Sequence, residues 1–358
     1  MSVSYQVIPA QSLTAEQESR WRKFRAANPA HYSPFLAVEF LKTITRSRPN
    51  CKVVVIQQDG QDVGYLPFEP QGKNAFPIAR QVNDAQAIIA SPEINLDWYE
   101  LLRGTELGVY HFHALVGQLT EQERSSVFAT SRSFMCDLRK PPEGYLKWLK
   151  KSSRTIAKQQ QKTNKLTREV GPLRWDFENR DHQLLDRILD LKSAQYRRTN
   201  IFDKFSIDWI RQMLHDLLDS ETSVRGQLSL LWAGDRLVSG HYGLRECKLL
   251  HYWFPVYDPQ FEIYSPGTAL FVELVRNSEV LGIDKIDYGY GDIPYKHKLC
   301  NVVTDSYRGA FCTSNLQLQR LRLQFMAYTQ LKRIPAKEAI KRVCRKVWPS
   351  WGAREHGG

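Results

Sequence analysis

Two similar strand–turn–strand patterns, half the chain apart, constrain the fold most strongly. The first, CKVVVIQQDGQDVGYLPF, places an Asp59-Gly60 turn between a β-branched run and an alternating apolar run. The second, QLSLLWAGDRLVSGHYGL, repeats this plan around Gly234-Asp235, 175 positions later (234 − 59). A two-residue turn between such runs is typical of a β-hairpin. Each hairpin follows an amphipathic helical pattern, so we expect one α+β unit to occur twice.

The second half of the sequence predicts a crossover. A long apolar run at 249–257 indicates a strand, 268–279 has a helical pattern, and 283–288 indicates another strand. Strand, helix and strand in this order imply a parallel strand pair. A last strand is expected at 306–313, before a C-terminal helical region. With the duplicated hairpin, this order predicts a mixed sheet of the α/β (α+β) class.

Composition excludes several classes of protein. The chain has 358 residues, 42% of them hydrophobic, which exceeds one average domain and suggests two. No apolar run approaches the roughly 18–20 residues of a membrane span, and the polar start MSVSYQVIPAQSLTAEQ does not resemble a signal peptide. The six cysteines include no C-x-x-C pair, which argues against a zinc ribbon and a disulfide scaffold. We expect a cytoplasmic protein with reduced thiols.

The net charge of +12 is concentrated in two segments, of which the first contains no acidic residue. Its eight basic side chains mostly recur every three or four positions: Lys147, Lys150, Lys151, Arg154, Lys158, Lys162, Lys165 and Arg168. On one continuous helix they would form a single stripe. The stripe fits either a solvated helix face or an anionic partner, such as a nucleotide-sugar, an acidic polymer or a phosphate. Sequence-specific nucleic-acid binding is not expected, because no reader motif accompanies the stripe.

The second basic segment lies near the C-terminus. From Lys332 to Arg354 it carries eight basic residues and one acid, Glu338, together with isoleucine, valine and two tryptophans. This mixture fits either a helix on an anionic membrane surface or a frayed basic tail. In the first case the cytoplasmic protein would be peripheral at the inner face of the membrane.

The tetrapeptide Ser265-Pro266-Gly267-Thr268 predicts a helix start directly after a strand. Ser265 is expected to cap the helix, and Pro266 has no N–H to leave unsatisfied. Gly267 would open the backbone amides to a ligand. Helix N-termini of this kind bind phosphate and pyrophosphate groups. The alternative is a well-capped helix without a ligand.

The histidines do not predict a metal site. His111 and His113 stand two apart on a predicted strand, but no third ligand lies near them in sequence. His241 and His251 lie on two strands of the second half and are either structural or candidate bases. Gly289-Tyr290-Gly291 is expected to bend the chain out of the sheet, because the dinucleotide-binding motif that it begins is incomplete. Walker, G-x-S-x-G and H-E-x-x-H motifs are absent from the sequence.

Several segments, in order, resemble the CelD/BcsL family of acetyltransferases. They are SPFLAVEFL, DGQDVGYLPF, KKSSRTIAKQQQKTNKL, LKSAQYRRTNIFDKF, AGDRLVSGHYG and YSPGTALFVELVRNSEVLGIDKIDYGYGD, followed by Tyr295-Lys296. The resemblance covers residues 33–313. These proteins are associated with the biosynthesis of cellulose and other bacterial polysaccharides. They belong to the GNAT group of acetyl-CoA-dependent N-acetyltransferases and are related to FemX-type peptidoglycan aminoacyltransferases.

The resemblance implies tandem GNAT-like acyltransferase domains. An N-terminal domain would occupy 1–140, a C-terminal domain with the acyl-CoA site 141–325, and a basic tail 326–358. The loop expected to bind the pyrophosphate of acetyl-CoA, or of another acyl-CoA, consists of Tyr264, Ser265, Pro266, Gly267 and Thr268. This loop departs from the usual GNAT Q/R-x-x-G-x-G/A pattern.

The resemblance also implies catalytic roles. Lys296 matches the lysine of the family's Y-K pair and is expected to stabilise charge near the acyl transfer. The acceptor must lose a proton to a base, for which Asp287, His251 and His241 are the candidates. No metal is expected.

The function implied by the resemblance is acyl transfer from acyl-CoA, in the first place acetyl transfer. The expected acceptor is anionic: a sugar nucleotide, a polysaccharide or a cell-envelope precursor. One alternative is a FemX-like transferase that uses aminoacyl-tRNA. Another is a non-catalytic scaffold with a GNAT frame in a polysaccharide synthase complex. The sequence leaves the oligomeric state open.

Overall fold

The computed structural model describes residues 3–333, with side chains described to residue 330. Within these residues the chain forms two compact units: unit 1 comprises 3–131 and 305–333, and unit 2 comprises 132–304. The chain therefore returns to unit 1 after 304, whereas the predicted second domain continues to 325; the domain bounds stay a prediction. The predicted tail is helical up to residue 333, and its remainder lies outside the described residues.

The described residues contain thirteen strands. They are β1 Val3–Pro9, β2 Lys52–Gln58, β3 Gln61–Gln71, β4 Asn74–Phe76, β5 Ile89–Ala90, β6 Val109–Leu115, β7 Val127–Asp137, β8 Leu173–Asn179, β9 Val224–Ala233, β10 Arg236–Glu246, β11 Leu249–Tyr257, β12 Lys285–Tyr290 and β13 Val302–Cys312.

The α-helices of the same residues connect these strands. They are α1 Ala15–Ala27, α2 Val38–Ser47, α3 Trp98–Gly104, α4 Glu121–Arg124, α5 Tyr145–Ser152, α6 Arg154–Ala157, α7 Gln159–Glu169, α8 His182–Arg198, α9 Asp208–Leu218, α10 Pro266–Arg276, α11 Pro294–Leu299 and α12 Asn315–Arg333. Short 3-10 turns occur at Ala10–Ser12, Pro29–His31, Pro34–Leu36, Lys204–Ser206 and Pro259–Tyr264. Among residues 3–333, no helix combines the length and the hydrophobicity needed to cross a membrane.

Both predicted hairpins are confirmed. β2 and β3 pair antiparallel up to Gln58 and Gln61, and the loop residues Asp59 and Gly60 have positive φ values of 50° and 78°. β9 and β10 pair in the same way around Gly234, whose φ is 53°. Positive φ in a two-residue loop matches the natural twist of the two strands, which explains the preference for glycine and aspartate there.

The strands of each unit form a mixed sheet, which confirms the predicted fold class. In unit 1 the order is β1-β2-β3-β4-β6-β13, with β5 also on β3; β4 and β6 are parallel. In unit 2 the order is β7-β12-β11-β10-β9-β8. There β11 and β12 are parallel and α10 is the predicted crossover helix.

The basic segment at 147–168 is not the single helix that its spacing predicts. It is divided among α5, α6 and α7. Ser153, between α5 and α6, has an extended backbone (φ −137°, ψ 113°), and its side chain accepts the N–H of Ile156. A serine that bonds nearby backbone competes with a continuous helix. The basic side chains are consequently presented by three short helices.

Candidate functional site

The strands β11 and β12 separate in the middle of unit 2. They pair in parallel over three residue pairs, the last of which joins His251 and Asp287. Beyond this pair β11 continues to Tyr257 and β12 to Tyr290, without a further register pair between them in the described chain. The two strands therefore diverge toward their carboxyl ends, which is where open α/β sheets bind ligands.

A β-bulge on β11 coincides with this separation. Tyr252 and Trp253 of β11 together oppose Gly243 of β10. A bulge leaves one residue outside the ladder and re-aims its side chain. A Cβ on Gly243 would lie 2.6 Å from Cε1 of His241 and 2.8 Å from the carbonyl oxygen of His251. Glycine is thus required opposite the bulge because both histidines approach its backbone closely.

His251 and Asp287 form a buried pair at the point of separation. Nδ1 of His251 lies 3.1 Å from Oδ2 of Asp287, and the side chains are 1% and 4% exposed. Oδ1 of Asp287 accepts the N–H of Gly289 at 2.8 Å. Because a carboxylate only accepts hydrogen bonds, the proton of His251 belongs on Nδ1 and the lone pair on Nε2. A carboxylate orients a histidine base in this way.

His241 lies on the neighbouring strand β10 and is fully buried. Its ring stacks on Tyr252 with 3.7 Å between the centroids, and neither ring nitrogen has a hydrogen-bond partner within the described residues. Burial lowers the pKa of His241 well below its usual value, and the nearby His251 and Lys192 lower it further. The ring is therefore neutral. A buried polar group without a partner is uncommon and points to a bound water or ligand.

Lys192 of α8 is a buried amine that the sequence analysis missed. It is 0% exposed, and its Nζ donates to the carbonyl oxygen of Pro255 on β11 at 2.8 Å. Burial, and then the charge of Lys204, lower the pKa of Lys192 to about 7. The sequence did offer a signal: Lys192 stands three residues after Leu189 and four before Tyr196, on the apolar face of α8.

Lys296 anchors the end of β12. It lies on α11, a helix that the sequence analysis did not predict, and is 5% exposed. Its Nζ donates to the carbonyl oxygens of Tyr288, Gly289 and Tyr290 at 2.9, 3.3 and 3.0 Å. The expected bend out of the sheet falls at the end of the Gly289-Tyr290-Gly291 segment: β12 continues through Gly289 to Tyr290, and Gly291 follows with φ 113°. The charge-stabilising role of Lys296 stays a prediction.

The side chain of Ser265 does not cap α10, contrary to the sequence-based expectation. Ser265 has a left-handed backbone (φ 52°), and its hydroxyl accepts no N–H of the first turn. Its Oγ instead accepts a hydrogen bond from Nζ of Lys162 on α7 at 2.7 Å. A lysine beside the positive end of a helix is electrostatically unfavourable unless an anion lies nearby. This pairing makes the start of α10, beside α7, a candidate site for an anion.

The loop before α10 is held against α7 by Tyr264. Its hydroxyl donates to Oε2 of Glu169 at 2.8 Å, and its carbonyl oxygen accepts the side-chain N–H of Gln159 at 3.2 Å. These bonds fix the position at which the chain enters α10. The loop is consequently rigid where a ligand would meet the helix.

The first turn of α10 presents backbone donors beside Lys162. Pro266 has no N–H, and the N–H groups of Gly267 and Thr268 lack intrahelical acceptors by their position in the helix. A Cβ on Gly267 would make ordinary contact with the ring of Tyr257 at 3.7 Å, so no close approach within the chain requires glycine there. Two amides and a lysine suit the phosphates of an acyl-CoA.

The histidines of unit 1 are explained by packing. His111 stacks on Phe76 with 4.5 Å between the centroids, its Nε2 lies 3.3 Å from Oδ1 of Asn74, and burial lowers its pKa to about 4. Nε2 of His113 lies 3.0 Å from the carbonyl oxygen of Asn83. Within residues 3–333, no group of three or more His, Cys, Asp and Glu side chains is placed to hold a metal ion.

A family model described as an acetyltransferase (GNAT) domain matches residues 151–297. The match contains the separated strands, the His251–Asp287 pair and the start of α10. A GNAT domain implies an acyl-CoA co-substrate, for which Lys162 and the first turn of α10 offer suitable groups. No curated protein matches the sequence.

Solved structures with low sequence identity share the fold. The C-terminal domain of a protein assigned as a lysylphosphatidylglycerol synthetase, from Agrobacterium fabrum, has 12% identity and a TM-score of 0.51, covering 89% of this chain and 98% of its own. FemX has 11% identity and a TM-score of 0.52, with coverages of 88% and 99%. A protein of unknown function from Bacteroides thetaiotaomicron has 10% identity and a TM-score of 0.50, with coverages of 87% and 100%.

These comparisons agree with the geometry of unit 2. The family match indicates acyl transfer, and the solved structures share a fold that covers nearly the whole chain. The site and the matched domain together support an acyltransferase of the GNAT type.

Proposed function

We propose that this protein transfers an acyl group, in the first place acetyl, from acyl-CoA to an anionic acceptor of polysaccharide or cell-envelope biosynthesis. The observation that carries the acyl-CoA part is the contact of Lys162 with Ser265 at the N-terminus of α10. This contact supports the proposal because a cation and two backbone donors lie near the end of β11, where a Cβ on Gly267 would come within 3.7 Å of the ring of Tyr257. Pyrophosphate is the part of acyl-CoA that such a group of donors would bind.

His251 is the base that this geometry supports best. Asp287 would hold its Nδ1–H, so that Nε2 accepts the proton of the acceptor. Acyl-CoA supplies an activated acyl group and a thiol leaving group. The protein's share is to orient the acceptor, exclude water and take up one proton. His241 and Lys192 are buried near this pair, and they keep the site poor in positive charge as long as they are neutral.

The acceptor is proposed to be anionic because much of the basic segment has no internal partner. Within the described residues, Lys151 pairs with Glu143 and Lys165 with Glu169. Lys162 bonds to the hydroxyl of Ser265. The remaining cations of the segment form no ion pair with the described residues; they are Lys147, Lys150, Arg154, Lys158 and Arg168. A sugar nucleotide or an acidic polysaccharide precursor would offset their mutual repulsion.

Calorimetric titration with acetyl-CoA and longer acyl-CoAs tests the proposal. Lys162→Ala should raise the Kd roughly ten- to a hundredfold, because it removes a charged hydrogen bond to phosphate. Gly267→Trp should abolish binding by covering the first turn of α10. Lys150→Ala removes an equal charge from the same basic segment and should leave the Kd within about twofold. Equal losses in both lysine variants would indicate general electrostatics and contradict the site.

The second candidate is a FemX-like transferase that uses aminoacyl-tRNA. The fold shared with FemX and the unpaired cations of the basic segment favour it. If no acyl-CoA binds, aminoacyl-tRNA should be titrated at several salt concentrations. A steep loss of affinity with salt, weakened by Lys150→Ala as well as by Lys162→Ala, would support this alternative.

A further inference from the structure

Helix α12 in unit 1 is apolar on two opposite sides. One side packs against its own unit through Leu318, Phe325 and Tyr328, which are 7%, 8% and 3% exposed. The other side presents Leu316 and Leu323, which are 82% and 61% exposed, and Met326 at 47%. A helix with apolar side chains all round is normally covered on every side. Within the described residues, the outward side of α12 is therefore an uncovered apolar surface.

The exposed apolar residues form one stripe. Leu316, Leu323 and Met326 are separated by seven and three positions, which places them on the same face of a helix. They account for three of the eight large apolar side chains that are exposed in the described residues. Isolated exposed apolar residues are ordinary, whereas a concentration on one element marks an interaction site.

The charged residues of α12 itself all have the same sign. No acidic residue occurs from Ser306 to Lys337. Arg320 on α12 is exposed beside the stripe, and Arg322 is held in place by donating to the carbonyl oxygen of Ser125. An apolar stripe flanked by arginines is characteristic of helices that lie on anionic membranes.

The same charges disfavour two other occupants. A second copy of α12 would bring the arginines of both copies together. The segment from 334 onward is itself strongly basic and would be repelled as well. Nucleic acid would satisfy the arginines but leaves the leucines without an apolar partner. We propose that the Leu316–Leu323–Met326 face of α12 docks on the surface of an anionic lipid bilayer.

Co-sedimentation with vesicles tests the docking face in the full chain. Vesicles of phosphatidylcholine with phosphatidylglycerol are compared with vesicles of phosphatidylcholine alone, and binding should require the anionic lipid. Leu316→Glu and Leu323→Glu should each lower the partition coefficient roughly tenfold. Each variant removes a leucine that the bilayer would bury and adds a negative charge to the face.

Val280→Glu is the matched control. Val280 is 89% exposed in unit 2, so the variant has the same change of charge and residue type at a comparable surface position. It should bind like the unaltered protein, and all variants should keep the same melting temperature.

Equal losses in Val280→Glu and Leu323→Glu, binding without anionic lipid, or no binding at all would overturn the proposal. A dimer in light scattering that Leu323→Glu dissociates would assign the face to self-association instead. The acyl-CoA titration is unaffected by these outcomes, so the two proposals fail separately.

Discussion

The two hairpin units share a plan but differ in the partners of the polar side chains that they bury. In unit 1 the second strand, β3, buries Tyr65, Leu66 and Phe68 among apolar neighbours. In unit 2 the second strand, β10, buries His241 and Arg245. Both strands also bury the other kind of side chain: β3 buries Glu69, which is paired with Arg48, and β10 buries Leu237, Val238 and Leu244.

Glu69 and Gln86, two buried polar groups of unit 1, have well-defined partners, whereas within the described residues the Oγ atoms of Ser33 and Ser306 have none. Glu69 accepts the N–H of Ala79 at 2.7 Å and pairs with Arg48. Oε1 of Gln86 accepts the N–H groups of residues 113 and 114, both at 2.9 Å. Groups bonded in this way stabilise a loop.

Unit 2 differs in a buried histidine with no hydrogen-bond partner on either ring nitrogen within the described residues, whereas Nε2 of His31 in unit 1 lies 3.3 Å from Nδ2 of Asn28. His241 has two ring nitrogens without partners, and Lys192 makes one hydrogen bond and no ion pair within the described residues. Such groups cost stability, and folds retain them chiefly where chemistry needs them. The catalytic candidates therefore lie in unit 2. We expect substitutions of buried polar residues to affect turnover more in unit 2 than in unit 1.

The largest expected effect is that of Asp287→Asn on turnover. The amide can donate to Nδ1 of His251 and would stabilise the tautomer whose lone pair faces the wrong way. We expect thiol release from acetyl-CoA to slow roughly a hundredfold or more. The rate is measured with a thiol reagent, and folding is checked by circular dichroism.

Asp284→Asn is the control for that experiment. Asp284 lies just before β12 and pairs with Arg139 and Lys248 near the surface. Its replacement removes the same charge without touching His251, so the rate should change less than about twofold. Comparable losses in the two variants would show that Asp287 acts through the fold and not through the histidine.

The next effect concerns the dependence of stability on pH. The pKa of Lys192 is lowered from 10.5 to about 7, so between these values the unfolded chain binds a proton that the folded chain does not. The contribution of Lys192 to the free energy of unfolding therefore rises with pH across this window, by up to about 1.4 kcal/mol per unit. Lys192→Met should remove that slope and raise stability at pH 7.5.

Urea unfolding at several pH values between 7.5 and 9.5 measures this slope. Lys204→Met serves as a graded comparison, because removing one of the two causes of the shift should reduce the slope only partly. Parallel pH profiles for the unaltered protein and Lys192→Met would mean that the amine is solvated or paired, and the contrast between the units would weaken.

Much of this fold could be predicted from the sequence where a periodic pattern is bounded by turns. The hairpin turns and the strand at 249–257 are as expected, because apolar alternation and turn residues are local signals. The division of the basic segment at Ser153 depends on a side-chain hydrogen bond that competes with helix propensity. α11 is too short to show a period, and the bonds from Lys296 that accompany it are tertiary.

The site could be predicted by residue type but not by arrangement. His251 and Asp287 were both candidates, yet their pairing depends on the register of two parallel strands that are 36 positions apart in sequence. Lys162 and Ser265 are 103 positions apart, and only the packing of α7 on α10 brings them together. Lys192 could have been recognised as a lysine on an apolar helix face, whereas its depressed pKa follows from burial.

The smallest expected effect compares one glycine from each unit. A Cβ on Gly243 would lie 2.6 Å from side-chain atoms and 2.8 Å from a backbone oxygen, whereas a Cβ on Gly64 of β3 would meet only side-chain atoms, at 3.1 to 3.3 Å. Gly243→Ala should therefore cost about 1–3 kcal/mol in urea unfolding, and Gly64→Ala less than about 1 kcal/mol. The carbonyl oxygen of His251 cannot move away from a new Cβ as a side-chain methyl can, so the cost at Gly243 should be the larger of the two. If Gly64→Ala proves as costly as Gly243→Ala, close packing opposite the bulge is no special feature of unit 2.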